Sequence, residues 1–154
     1  MPTTPVTHAL DALAIPYRLH LHVGAVRSLE QAARERGLAP GQIVRSLVFR
    51  LEDGSFVMVL VAGPARVAWA KLRRYLQLSR LTTATPDEVL RVTGYPPGAV
   101  SPFGLPQPLR LLADRSLLDS DLLSLGAGIP NAGVILAAED LLRALSPEIG
   151  DFTG

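Results

Sequence analysis

The chain has 154 residues, 48% of them hydrophobic and 19% charged, with a formal net charge of +1 and no cysteine. That length suits one packed domain, and the missing cysteines exclude disulfides, thiol nucleophiles and thiolate metal sites. No apolar run reaches the ~18 residues of a membrane span, and no basic segment leads into an apolar one at the start, so a cytoplasmic protein is expected.

Thr3-Thr4-Pro5 reads as a cap followed by a first-turn proline and opens a helix to about Ala14, which Ile15-Pro16 stops. Tyr17–Val23 alternates with period two and reads as a strand. Ser28-Leu-Glu-Gln31 is a capping box whose helix runs to Gly37. Ile43–Leu51 and Ser55–Ala62 are strands joined by Glu52-Asp53-Gly54, the pattern of an antiparallel hairpin. Helical spacing returns over residues 66–76, and Thr85-Pro86-Asp87-Glu88 starts another helix that ends near Gly94. Short strands follow at Leu109–Ala113, Leu122–Leu125 and Gly133–Ala137, then a helix at Ala138–Leu145. The reading is a single mixed α/β (α+β) domain over 1–154, with its core at about 4–146 and a loose tail from Pro147.

Charge is unevenly spread. Residues 1–100 carry twelve basic and seven acidic side chains, and residues 101–154 carry three and seven. Lys71, Arg73, Arg74 and Arg80 form the clearest basic cluster, with Arg66 close in sequence, read either as a solvated helix face or, at Lys71, Arg73 and Arg74, as a contact for a nucleic-acid backbone. His20 and His22 share a strand face, but no third ligand accompanies them, so no metal is expected. His8 falls on the first helix as a surface residue. No GxSxG, phosphate loop or dinucleotide fingerprint occurs, so nothing supports a side-chain nucleophile.

The stretch Gly94-Tyr-Pro-Pro-Gly-Ala-Val-Ser-Pro-Phe-Gly104 holds three glycines and three prolines. Prolines 96, 97 and 102 stiffen it, while Gly94, Gly98 and Gly104 allow unusual backbone angles and close approach. Such a loop is either a rigid turn or a fixed array of N–H donors around a carbonyl or phosphate oxygen.

This loop resembles the G-x-x-x-G-x-x-S-P-x-G segment of the YbaK-type aminoacyl-tRNA deacylases, relatives of the editing domain in bacterial prolyl-tRNA synthetases. Val44-Arg-Ser-Leu-Val48 falls where that family has its lysine-bearing strand, and Gly126-Ala-Gly-Ile-Pro-Asn131 through Leu141 resembles its closing segment. The resemblance implies a curled, barrel-like mixed sheet flanked by helices, and hydrolysis of the ester between a wrong amino acid and a tRNA 3′ end. It implies no cofactor, with the substrate's own ribose hydroxyl or thiol assisting. The 3′ end of aminoacyl-tRNA is the implied partner, with a prolyl-tRNA synthetase beside it. By carry-over Gly98, Ala99, Ser101 and Gly104 frame the ester. Arg45 stands where the family has an important lysine, and a planar guanidinium is no simple substitute for an ammonium. His20, His22, Ser46, Gly94, Pro102, Gly126, Gly128 and Asn131 complete the implied substrate contacts. The competing reading is a non-catalytic module that binds aminoacyl-adenosine or the tRNA end, hydrolysis having been altered or lost with Arg45.

Overall fold

The computed structural model describes residues 2–154; Met1, the first residue of the expected domain, lies outside them. Helix α1 (Pro5–Ala12) starts at Thr4, whose hydroxyl accepts the Thr7 N–H while Thr7 answers by accepting the Thr4 N–H. Strand β1 (Tyr17–Leu21) and helix α2 (Leu29–Arg36) follow, with Ser28 capping α2. The Gln31 side chain accepts the Arg27 N–H, so the expected capping box is displaced by one residue.

The expected antiparallel hairpin forms from β2 (Val44–Leu51) and β3 (Phe56–Ala62), with Ser46 opposite Leu60. Helix α3 (Trp69–Leu76), strand β4 (Leu81–Thr83) and helix α4 (Pro86–Thr93) lead to the glycine–proline loop. Strands β5 (Arg110–Asp114), β6 (Leu122–Gly126) and β7 (Ala132–Ala137), helix α5 (Ala138–Leu145) and strand β8 (Glu148–Gly150) complete the chain.

Among the described residues, eight strands make two sheets. A mixed sheet runs β4-β2-β3-β5-β8, antiparallel across β4-β2-β3 and parallel from β3 to β8. A smaller antiparallel sheet runs β1-β7-β6. One parallel bridge, Ile43 to Ser124, links them, and the sheets are not closed into a barrel. Strand β3 lies mid-sheet with both faces covered, which is why it reads as continuous apolar sequence. Met58 and Leu60 face the core shared with β6, β7, α1 and α5; Val57, Val59 and Val61 face α3.

The tail is not loose, contrary to the reading of residues 147–154. Phe152 is fully buried against Tyr75, Asp114 accepts its N–H, and β8 pairs with β5. Phe152 is the tail's one buried large side chain, and its apolar area favours the ordered state.

Candidate functional site

Strand β2 has one incomplete edge. β4 pairs with it only from Phe49 onward, and β6 makes a single backbone bridge just before it, at Ile43. Val48 accepts the Ala84 N–H, so by the alternation of an antiparallel ladder Ser46 turns its backbone N–H and C=O the same way, where no strand lies. A cleft of about 1110 Å3 opens along this edge. Because the edge itself borders the cleft, both faces of β2 contribute, Arg45 from one and Ser46 from the other. The Ser46 hydroxyl is buried there without a hydrogen-bond partner among the described residues.

The opposite wall comes from the glycine–proline loop through Pro97, Gly98 and Val100, and from Gly126 and Asn131. Four arginines, Arg27, Arg36, Arg45 and Arg66, line the cleft, and among the described residues no carboxylate does. None of the four is in an ion pair among the described residues. The cleft is therefore a focused positive field.

The loop is held from inside. The fully buried Tyr95 donates its phenol proton to the Phe103 carbonyl at 2.5 Å, and burial pushes the phenol up to about 12. Gly104 sits at φ 73° so close to α1 that a Cβ would lie 2.6 Å from the Pro5 carbonyl oxygen. Ser101 is fully buried, and its hydroxyl accepts the Phe103 N–H as a turn bond. Ala99 is buried too; its N–H goes to Pro96 and its carbonyl accepts from Gly128. The N–H groups of Gly98 and Val100 make no hydrogen bond among the described residues, and both residues border the cleft.

Of the residues expected to frame the ester, then, the structure brings Arg45 and Gly98 to the cleft, while Ala99, Ser101 and Gly104 form the scaffold behind them. Arg45 is half-buried: Nε donates to the Gly63 carbonyl at 2.9 Å and Nη2 to that of Ala65. Desolvation pulls its guanidinium below the ordinary value. Tethered this way, Arg45 fixes the 63–65 segment that carries Arg66 into the cleft.

Among the other expected contacts, Ser46, Gly126 and Asn131 line the cleft, and Gly94, Pro102 and Gly128 do not. Gly94 ends α4 in the left-handed conformation, Pro102 is buried, and Gly128 packs on Tyr95. Asn131 latches the β1–α2 loop, accepting the Val26 N–H on its side chain and that of His22 on its backbone. His20 is outside the cleft, its ring edge-on to His22 at 4.6 Å; desolvation, then His22, lowers its pKa. The His22 side chain is fully buried between Glu35, 2.7 Å from Nδ1, and the Arg36 Nε, which donates to Nε2 at 3.1 Å. Lys71, Arg73 and Arg74 are not brought to the cleft. Lys71 instead holds the tail, bonding Asp151 at 2.9 Å and the Thr153 carbonyl at 2.7 Å.

Sequence reasoning missed Arg27 and Arg36 as site residues and gave Arg66 no more than proximity. It also missed Trp69, which lines the cleft 38% exposed with its ring edge-to-face on Phe49. The capping residue Ser28 was a usable signal for Arg27, since the residue before a helix cap lies at an exposed turn. Nothing local marks Arg36, whose side chain is buried by contacts distant in sequence.

A mixed α/β fold thus holds an arginine-lined cleft, free of carboxylates among the described residues, against the glycine–proline loop. The family model for the aminoacyl-tRNA editing domain matches residues 23–144, and the chain belongs to that family. It is 31% identical over 132 residues to the multifunctional Ser/Thr-tRNA deacylase ProXp-y of Escherichia coli, covering 83% of this chain and 79% of that one. It is 36% identical over 97 residues to the proline–tRNA ligase of Trichlorobacter lovleyi, covering 63% of this chain but only 17% of the ligase. A crystal structure of a candidate trans-editing enzyme for prolyl tRNA synthetase superposes with a TM-score of 0.89 at 30% identity, over 97% of this chain and 95% of that one.

Proposed function

We propose that this protein is a trans-acting deacylase that hydrolyses the ester of mischarged aminoacyl-tRNA, with tRNA for proline carrying a small wrong amino acid as the substrate. The observation that carries the reading is the acid-free cleft with four arginines, facing the unbonded N–H groups of Gly98 and Val100. The arginines receive the phosphates of the tRNA 3′ end, and Trp69 offers a ring on which the terminal base stacks. Ser46 presents a hydroxyl and an open backbone edge to the amino acid.

Water adds to the ester carbonyl carbon, and the electron pair of the C=O bond moves to its oxygen. The Gly98 and Val100 N–H groups meet that oxyanion without reorganising, each such donor being worth about 2.7–4 kcal/mol. Collapse re-forms the carbonyl and breaks the bond to the ribose oxygen. The ribose takes the proton that water gave up, relayed by its neighbouring hydroxyl, and the amino acid leaves as the free acid. No protein side chain changes its covalent state.

The test is release of amino acid from tRNAs charged with Ala, Ser, Cys and Pro, with and without a chelator. Chelator-insensitive release of one mismatched amino acid is expected. A folded protein that releases none from any tRNA defeats the reading. The second reading, a non-catalytic module for the tRNA end, is favoured by one observation: Arg45 is spent on two carbonyls rather than presented free. Arg45→Lys separates the two. Under the first reading it lowers turnover by loosening the 63–65 segment, and under the second it leaves turnover at zero or creates it.

A further inference from the structure

Gly126 and Gly133 stand directly opposite each other in the β6–β7 ladder, so their missing side chains point to the same face of the small sheet. A Cβ on Gly126 would lie 2.5 Å from the Val100 carbonyl oxygen, and one on Gly133 would overlap the Arg36 guanidinium. This glycine pair thus seats the loop and a cation side by side on one surface, with Cβ positions about 5 Å apart.

Arg36 is buried to 9% exposure while lining the cleft. None of its hydrogen-bond partners is a carboxylate: they are His22 through Nε, the Ser124 hydroxyl at 2.9 Å through Nη1, and the Ala132 carbonyl at 3.5 Å through Nη2. The adjacent carboxylate, Glu35, is turned to His22 and Gln31. A guanidinium has five N–H donors and these contacts occupy three, leaving one hydrogen on each terminal nitrogen. No carboxylate bonds the guanidinium directly; Glu35 reaches it only through His22 and offsets part of the cost of its burial, and the remaining cost falls when a bound anion supplies charge.

We propose that Arg36 is the anion receptor of the cleft, using its two spare N–H groups as a fork for an anionic oxygen beside Val100. Resting on the deacylase reading, this deepens it. The anionic oxygen belongs either to the phosphate of the terminal nucleotide or to the oxyanion that forms at the ester carbonyl. Arg45, tied on the other face of β2, is not in this position.

Two measurements on the intact chain decide it: Trp69 fluorescence titrated with adenosine 5′-monophosphate and with adenosine, and single-turnover deacylation. If the oxygen is phosphate, Arg36→Ala and Arg36→Lys weaken adenosine 5′-monophosphate at least about tenfold and leave adenosine unchanged, the loss of one bidentate charged contact. If it is the oxyanion, both ligands bind as before, and the chemical rate falls about 10²–10³-fold. Added guanidinium ion then restores part of the rate to Arg36→Ala, which a merely structural role would not allow. Should Arg36→Ala fail to fold, Arg36→Lys decides alone, because an ammonium keeps the charge and loses the fork. A folded variant matching wild type in both measurements overturns the proposal. If wild type hydrolyses no tRNA, the deacylase reading falls and the nucleotide titration still settles Arg36: weaker phosphate binding upholds it, and unchanged binding overturns it.

Discussion

Tyr95 is the side chain on which the loop's shape rests, since its one hydrogen bond spans from the loop's start to Phe103. Tyr95→Phe leaves the buried Phe103 carbonyl without a donor and is expected to cost about 1–3 kcal/mol in urea unfolding. Its pH dependence has a defined sign. The phenol is raised from 10.0 to about 12 by burial, so the folded state holds its proton longer than the unfolded chain does. Tyr95 therefore contributes stability fully below pH 10, and that contribution is lost as pH rises from 10.0 to about 12. Thermal unfolding of wild type and Tyr95→Phe should accordingly converge across that window. A constant gap would mean that the phenol is not held neutral. This residue was not legible as a brace from sequence: tyrosine inside a glycine–proline run looks like any aromatic, and only the fold brings residue 103 above it.

At the scale of elements, capped helices and alternating strands were readable because each carries its signal within itself. The hairpin of β2 and β3 and the helices begun by Thr4, Ser28 and Thr85 all lie where local chemistry puts them. Strands β4 and β8 were not readable, being three residues each and formed by pairing with distant strands. Their placement has consequences in opposite directions. The shortness of β4 leaves Ser46 at an open edge, and so makes the cleft. β8 anchors Phe152, whose ring fills a site against Tyr75 and Gly150. Phe152→Ala should cost about 3–5 kcal/mol, read as a lower urea midpoint with an unchanged slope. A loss below about 1 kcal/mol would return the tail to the loose state expected from the sequence.

Over the whole molecule, the sequence located the excess of basic residues in the first hundred positions but not the face that uses it. A linear cluster such as Lys71, Arg73 and Arg74 is conspicuous because its members are neighbours, yet helix α3 carries them away from the cleft. The arginines that line it come from positions 27, 36, 45 and 66, which only the fold assembles. Binding of uncharged tRNA should therefore weaken with salt, and exposed Arg27 and Arg66 should carry part of that slope. Arg27→Gln and Arg66→Gln are each expected to flatten log Kd against log salt by about 0.7–0.9, one phosphate contact apiece. Arg74→Gln on the outer face of α3 serves as the comparison, and an equal effect there would place the tRNA on the other side. No helix among the described residues is long and apolar enough to cross a membrane.

The first turn of α1 grips two backbone segments behind the cleft: the Thr4 hydroxyl donates to the Ala127 carbonyl at 2.7 Å, next to Gly126, and Gly104 at the end of the glycine–proline loop lies against Pro5. Mechanically, this makes the beginning of the chain a lever on the reaction centre. A pull applied near residue 4 is transmitted through two short contacts to the backbone that must stay still. Anchoring the protein to a bead through this end should slow it in proportion to the load, whereas the same load at the Asp53–Gly54 turn, at the far end of the hairpin, should leave the rate alone.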